Sequence, residues 1–345
     1  MASNKTPSKT PPSGIYVPVP TFFARTSASD YNATSPPLDL ETQTAHSLFL
    51  LRGGVRGLVI LGSTGEAIHI TPSERSSLLS SQRSELDKAG FSDRPIIAGT
   101  ATQNILETIA QIAADKEAGA EYAMVLSPGY FASAASQEGI AKWFEAVADE
   151  AVLPVMIYHY PGVTNGLNIL PETFERLAAH KNIVGCKLSH GDIPDHTLIA
   201  ASPKIDPGAF KVFSGLGQNL LPVLTVGGQG AIDGLAGIYP RVVVRLYQLY
   251  MDSSAKGTTK KDIDEMRALQ FRICQGERIV AKWGAVGIKE AIARLWGFGD
   301  KEGARLPLQG GLQGGDAEWA KFKEVHEGLK ALEESLEKGQ PLPLR

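Results

Sequence analysis

Cysteine is scarce in this chain. Cys186 and Cys274 are the only two in 345 residues, and they stand far apart. That excludes a disulfide framework, offers no paired spacing for a zinc site and fits a reducing compartment. Long apolar runs are missing too: none approaches the roughly 20 residues needed to span a bilayer. Charge of one sign is not in excess. With 34 Lys and Arg against 37 Asp and Glu, nothing marks a surface for nucleic acid or an anionic membrane. No Gly-x-Gly-x-x-Gly follows the first candidate strand, which argues against a dinucleotide-binding fold. Residues 1–13 are rich in Ser, Thr, Pro and Lys, with no apolar stretch and no arginine. They read as a disordered tail rather than a secretory or transit segment. The end, Pro341-Leu342-Pro343-Leu344-Arg345, matches no lipidation or retention signal. The expectation is a cytoplasmic protein with neither nucleic-acid nor membrane partners.

What is present is the composition of a globular protein with a substantial core, 43% hydrophobic and 21% charged. Short β-branched runs alternate with helix-length segments eight times. The predicted strands are Ile15–Pro18, Gly57–Leu61, Pro95–Gly99, Tyr122–Leu126, Pro154–Tyr158, Ile183–Lys187, Phe210–Ser214 and Gly230–Asp233. Between them lie predicted helices such as Asp39–Leu51, Pro72–Lys88, Ile105–Ala118, Gln137–Glu150 and Pro171–His180. Thr71-Pro72-Ser73-Glu74 supplies an N-cap with proline at the first helical position, and Leu170-Pro171-Glu172 is similar. Strands separated by single helices imply right-handed βαβ units and a parallel sheet. Eight of them favour a closed (β/α)8 TIM barrel over residues 14–240. Beyond Tyr239-Pro240 the pattern is purely helical, with Arg241–Met251, Lys261–Lys282, Ile288–Trp296 and Ala317–Glu337 forming a C-terminal helical region over 241–345. Arg25–Pro37 reads as a long polar loop, either an insertion on the active-site rim or a flexible segment. Leu306–Gly315, with its paired glycines, reads as a linker.

Active sites of such barrels sit at the C-terminal ends of the strands. That rule selects Gly62-Ser63-Thr64-Gly65-Glu66, Ser127-Pro128-Gly129-Tyr130-Phe131, Tyr158-His159-Tyr160-Pro161, Lys187, Ser214-Gly215-Leu216-Gly217 and Asp233-Gly234. Their vocabulary is hydroxyls, glycines and one lysine, and no carboxylate pair suits glycoside hydrolysis. Gly227-Gly228-Gln229-Gly230 looks like a phosphate loop, yet it precedes the eighth strand and lacks the lysine, so it reads as structural. His69, His159 and His190 lie near strand ends without a ligand spacing, and no metal is expected.

Lys187 is a charge where the pattern calls for none, at the end of the apolar run Asn182-Ile183-Val184-Gly185-Cys186. A lysine there either caps the strand and reaches water, or faces the barrel mouth partly desolvated. In the second case its amine loses protons more easily and can attack a carbonyl carbon. A free lysine, with pKa about 10.4, is almost entirely protonated at neutral pH, so burial alone creates the nucleophile.

Taken together, Gly62–Glu66, Ser127-Pro128-Gly129-Tyr130 with Ser136-Gln137-Glu138-Gly139, Ile157–Pro161 and Ile183–Lys187 resemble, in order and spacing, the pyruvate-dependent class I aldolase superfamily of dihydrodipicolinate synthase and N-acetylneuraminate lyase. The likeness runs from about Gly14 to Trp296. It implies a TIM barrel with a C-terminal helical region, usually assembled as a homotetramer built from two dimers. It also implies that Lys187 forms an imine with a 2-oxo acid, without any other cofactor, while Tyr158 shuttles protons. Ser63 and Thr64 would hold the substrate carboxylate and relay protons. Tyr130 matches a tyrosine that in many members crosses a dimer interface to complete the relay. The candidate catalytic set is Lys187, Tyr158, Thr64 and Tyr130. The candidate substrate-binding set is Ser63, Thr64, Gly65, His159, Val163, Ser214 and Ile232.

Two departures bear on the substrate. Where synthase members carry an arginine for a second carboxylate, this chain has Val163 in Pro161-Gly162-Val163-Thr164. Gly129 replaces the tyrosine that often precedes the one matching Tyr130. Both argue against dihydrodipicolinate synthesis. Tyr158–Val163 and the Gly191-Asp192 that follows Lys187 resemble eukaryotic members that cleave 2-keto-3-deoxy sugar acids or 4-hydroxy-2-oxoglutarate, fungal 2-keto-3-deoxy-L-galactonate aldolases among them. The expectation is release of pyruvate and an aldehyde from such an acid. Synthase-type condensation and a non-catalytic 2-oxo-acid-binding protein are the alternatives. Substrate discrimination is expected at His159, Val163 and the loop Ser214–Asn219.

Overall fold

The computed structural model describes residues 8–340. Strands β1 (Gly14–Pro18), β2 (Gly57–Ile60), β3 (Ile96–Thr100), β4 (Tyr122–Leu126), β5 (Val155–His159), β6 (Ile183–Leu188), β7 (Lys211–Ser214) and β8 (Gly230–Ile232) pair in sequence order into a closed barrel. Every pairing is parallel, and β8 returns to β1. Around it run α1 (Leu40–Arg52), α2 (Pro72–Lys88), α3 (Ile105–Glu117), α4 (Gln137–Glu150), α5 (Pro171–Ala178), α6 (Ile193–Ala200), α7 (Leu220–Thr225) and α8 (Pro240–Lys256). The long α9 (Lys260–Trp296) and α10 (Gly315–Glu337) complete the chain. The predicted strands fall within a residue or two of these, because each is a short apolar run buried on both faces.

Helix starts follow side-chain chemistry. Thr71 and Glu74 form a reciprocal capping box on α2, with Pro72 inside it, and Thr259 and Asp262 do the same for α9. The gap expected between Lys282 and Ile288 is a kink within α9, where Gly284 leaves helical geometry (φ 51°, ψ −134°). A positive φ of this kind suits glycine.

Two side-chain populations separate across the barrel wall. Val59, Met124, Met156, Val184, Phe213 and Ile232 fill the interior, whereas Leu58, Val125, Ile157 and Val212 pack outward against the helices. In β6 the alternation is interrupted. Val155 pairs with Ile183 but Met156 with Gly185, so Val184 is an extra residue opposite the shift. Val184 faces inward and Cys186 outward, and Lys187 returns inward beside Tyr158 of β5. Strict alternation from Val184 would have turned Lys187 toward the helices.

Three expectations change. Residues 1–7 lie outside the described residues, as do 341–345, but the rest of the expected tail is held against the barrel bottom. Ser8 Oγ donates to Asn182 Oδ1 (2.7 Å), while Tyr122 and Tyr16 donate to the carbonyls of Thr10 and Pro12. Leu306–Gly315 is no free linker: Leu312 is buried, and Pro307 and Leu308 roof the barrel mouth. The Arg25–Pro37 loop is pinned beneath that strap, with Pro36 O accepting from Arg305 and Tyr31 Oη from Gln309. Backbone carbonyls need donors wherever they are shielded from water, and these segments supply them for each other.

Candidate active site

The strand ends open into a cavity of about 270 Å³ lined by Ser63, Thr64, Tyr158, Lys187, Ser189 and Trp283. A second hollow of about 290 Å³ adjoins it, shares Ser63, Tyr158, Val163 and Leu308, and is otherwise walled mainly by apolar groups such as Leu61, Ile68 and Leu126.

Lys187 is 3% exposed, and its Nζ lies 4.4 Å from the centre of the Tyr158 ring. Among the described residues no carboxylate comes within ion-pair distance of it. Burial lowers its pKa to about 7, with the charge of Asp233 pulling the other way. About half the amine is then neutral at pH 7, against a few molecules in ten thousand for an exposed lysine.

Tyr158 Oη lies 3.2 Å from Ser63 Oγ. Burial pushes the phenol up to about 12 despite the nearby hydroxyls of Ser63 and Ser189. It therefore rests as a neutral proton donor rather than as a standing phenolate base. Thr64 lines the same cavity, but the hydroxyl that meets Tyr158 is that of Ser63.

The turn that carries them closes on itself. Gly65 and Ala67 N–H donate to Gly62 O, and Glu66 N–H to Ser63 O. The N–H groups of Ser63 and Thr64 have no partner among the described residues and remain for an anion. Gly65, whose N–H is thus used and whose carbonyl accepts from Thr21, shapes the turn without reaching the cavity. Leu61 (φ 64°) and Glu66 (φ 53°) both sit in the left-handed region. Such strain persists only where the surroundings over-determine it. Here Glu66, fully buried, is gripped by Lys289 of α9 and accepts from Arg305 N–H (2.9 Å). Arg305 in turn binds Glu74, Pro36 O and His69 O. The strap, the pinned loop and the Ser63–Glu66 turn are one unit.

Four of the expected substrate contacts stand elsewhere. His159 projects outward from β5, because adjacent residues of a strand face opposite ways. Its ring joins Phe174, His190 and His196, with centroids 5.0 Å from His190 and a further 4.8 Å from His190 to His196. The Ser214 hydroxyl is occupied by the backbone of Leu216 (2.9 and 3.1 Å). Ile232 belongs to the packed barrel interior, below the cavity. Gly65 has been accounted for above. Tyr130 is 74% exposed and stacked edge-on with Phe131, so within one chain it does not reach Tyr158. Val163 does line the cavity. Ser189, Trp283 and Leu308 escaped sequence reasoning. The interruption of helical pattern at 283–287 was the available signal for Trp283, whereas nothing local marks Leu308.

Among the described residues no three His, Cys, Asp or Glu side chains are placed to hold a metal ion. His46, His159, His190 and His326 are held down to about 4, chiefly by burial. A histidine with a lowered folded pKa contributes nothing above its unfolded value near 6.5, where both states are neutral. Below that the unfolded chain takes up protons first, so stability falls until about pH 4. For the fully enclosed His46 the loss approaches roughly 3 kcal/mol. Thermal melts should show a steep drop in Tm as pH falls below 6.5. A Tm unchanged down to pH 4.5 would contradict the burial of these rings.

A closed parallel barrel with one desolvated lysine in its mouth, beside a phenol–hydroxyl pair and free backbone donors, defines a class of barrel proteins equipped to add an amine to the ketone of a carboxylate-bearing ligand. The family model described as the dihydrodipicolinate synthetase family matches residues 34–309, and the chain belongs to that family. It is 33% identical over 324 residues to the L-threo-3-deoxy-hexylosonate aldolase of Hypocrea jecorina, covering 92% of this chain and 95% of that one. It is 32% identical to the probable mitochondrial 4-hydroxy-2-oxoglutarate aldolase of Emericella nidulans, covering 94% and 97%. Among solved structures, the Escherichia coli K12 prophage protein YagE in complex with pyruvate superposes with a TM-score of 0.78 at 27% identity, covering 92% of this chain and 98% of that one. No helix among the described residues is long and apolar enough to cross a membrane.

Proposed function

We propose that this protein is a class I aldolase that cleaves a 2-keto-3-deoxy sugar acid to pyruvate and an aldehyde. Lys187 attacks the C2 ketone, and loss of water leaves a protonated imine. That cation accepts the electron pair of the C3–C4 bond as a base removes the C4 hydroxyl proton and the aldehyde departs. The resulting enamine takes a proton at C3, and water releases pyruvate and the free amine. Tyr158 and Ser63 relay the protons, and the backbone N–H groups of Ser63 and Thr64 hold the carboxylate. No cofactor beyond the lysine enters this scheme. The single observation that carries the reading is the buried amine of Lys187 packed on the Tyr158 ring, where burial lowers its pKa.

Charge narrows the substrate. Among the described residues Lys187 is the only Lys or Arg lining the cavity, so the second carboxylate of 4-hydroxy-2-oxoglutarate would be desolvated without a counter-ion. An uncharged aldehyde half avoids that cost, which favours the sugar acid and disfavours synthase-type condensation. Val163→Arg should shift the ratio of kcat/KM toward the dicarboxylate by about tenfold, the worth of one charge-assisted hydrogen bond. An unchanged substrate ranking would remove Val163 from the discriminating wall. Reduction with borohydride in the presence of pyruvate, followed by peptide mass analysis, should place the adduct on Lys187. Absence of an adduct there rejects the proposal. A panel of 2-keto-3-deoxy acids scored for pyruvate release then ranks the substrates.

The apolar hollow beside Ser63 and Tyr158 also supports a role for Tyr130 in assembly. Presented at the surface, it is suited to fill that hollow in a second copy within a dimer-of-dimers tetramer. One solved relative is described as a monomeric dihydrodipicolinate synthase variant, so sedimentation of this chain is the needed measurement. Two unpaired cysteines favour a cytoplasmic setting, which fractionation would test against the mitochondrial designation of the Emericella relative.

A further inference from the structure

Behind Lys187, outside the cavity, two carboxyl groups are buried together. Asp233 follows β8 and is fully enclosed, and Glu277 of α9 is 2% exposed. Both accept from the same N–H, that of Gly217 in the turn after β7, Asp233 Oδ1 at 2.9 Å and Glu277 Oε1 at 3.1 Å. The second oxygen of Asp233 accepts from Ala236 N–H (3.0 Å). Gly217 has no room for a side chain: a Cβ there would lie 2.7 Å from Glu277 Oε1 and 2.8 Å from Asp233 Oδ2. Among the described residues neither carboxyl forms an ion pair. Two carboxylates cannot both stay charged at such a separation without a cation between them.

We propose that Asp233 and Glu277 share one proton and act as a positioning pair, holding a single negative charge behind Lys187 and tying the turn after β7 to α9. The inference rests on the aldolase reading of Lys187. Both tethered segments wall the cavity, the turn through Gly215 and Leu216 and α9 through Val280 and Trp283. The proton sits on Glu277, whose ionisation is opposed by burial and then by Asp233, while Asp233 keeps two backbone donors. Cys274 is the other titratable group that faces Glu277, and Asp233 is the charge that Lys187 feels. The turn residues Ser214 to Asn219 contribute no titratable side chain. A fixed negative charge at this place stabilises the protonated imine after it forms, and it keeps the amine from becoming too weak a base to carry that proton.

The test is cyanoborohydride trapping of pyruvate on the full-length enzyme from mildly acid to mildly alkaline pH, read together with kcat. Glu277→Gln keeps the charge on Asp233 and should leave the acid limb of trapping in place. The double variant Asp233→Asn/Glu277→Gln removes the charge but keeps the amide shapes. Its acid limb should move about one unit lower, and its kcat should fall about tenfold. A double variant with the wild-type limb overturns the proposal, as does a Glu277→Gln limb displaced as far as that of the double variant. If the double variant does not fold, the infrared carbonyl band of a buried carboxylic acid decides. It should appear in the difference spectrum of wild type minus Glu277→Gln at neutral pH, since Glu333 is a second buried carboxyl with a raised pKa, and its absence from that difference overturns the shared proton. Failure to trap wild type on Lys187 sinks the aldolase reading and this inference with it. Normal trapping with unshifted variants sinks the inference alone.

Discussion

Lys187→Met should abolish turnover and raise the melting temperature. A thioether cannot add to a ketone, and loss of a covalent nucleophile typically costs more than about 10⁴-fold in kcat. The stability gain follows from linkage. The folded amine titrates near 7 and the unfolded one near 10.5, so the unfolded chain holds that proton more tightly. The penalty is fully present below pH 7 and fades as pH rises toward 10.5. At neutral pH it amounts to roughly 4 kcal/mol, of which a methionine of similar volume should recover about half or more. Lys187→Ala should be equally inactive with the fold intact. Lys187→Arg should also be inactive, because guanidinium does not deprotonate. Its larger buried cation should lower Tm instead of raising it. Urea midpoints and steady-state pyruvate release check both halves. An active Lys187→Met enzyme would leave the covalent scheme without support. An inactive one with a lowered Tm would mean that the amine is not desolvated as described.

Breaking the buried Lys289–Glu66 pair should be strongly destabilising. Lys289 is 3% exposed, rests 4.4 Å from the Phe23 ring and donates to Gly303 O (2.9 Å) as well as to Glu66. Lys289→Ala leaves the Glu66 carboxylate enclosed with only Arg305 N–H and His69 as partners. Removing one partner of a buried ion pair costs about 3–5 kcal/mol. Because Glu66 holds a left-handed backbone three residues from Ser63, the Ser63–Glu66 turn should shift with it. The expected signature is a raised KM beyond what partial unfolding explains. Replacing both ends, Glu66→Gln with Lys289→Met, should recover most of the urea midpoint, since apolar or neutral substitutes for a buried pair are often nearly neutral in stability. KM should stay elevated in that double variant, because the grip on the turn is still lost. A double variant with wild-type KM would show that the strap does not position the turn.

Much of the site could be read from the chain because barrel geometry converts strand order into spatial order. Ser63, Thr64, Tyr158 and Lys187 are separated widely in sequence, yet all follow from one rule about strand ends. The misplaced residues failed for a common reason. His159 and Ser214 also stand at strand ends, but which face a residue takes depends on the phase of the strand. In a strand buried on both sides the hydrophobic pattern carries no phase. Likewise Leu308 lies in a glycine-rich stretch, Leu306–Gly315, whose composition looks like a linker, and only the long-range partners of that stretch and of the adjoining Arg305 make it a roof.

The chain by itself determined the fold class, the positions of its strands and which amine is the candidate nucleophile. Apolar runs, turn residues and a lone lysine at a strand end are local properties that need no neighbour to be recognised. Only the tertiary structure decided that the amine faces inward. That outcome depends on Val184 being accommodated as an extra residue opposite Val155 and Met156, a register event between two strands. The shared carboxyl pair and the strap that clamps Glu66 were likewise settled in three dimensions. Their partners are brought together by closure of the barrel and the packing of α9, and distance along the chain says nothing about them.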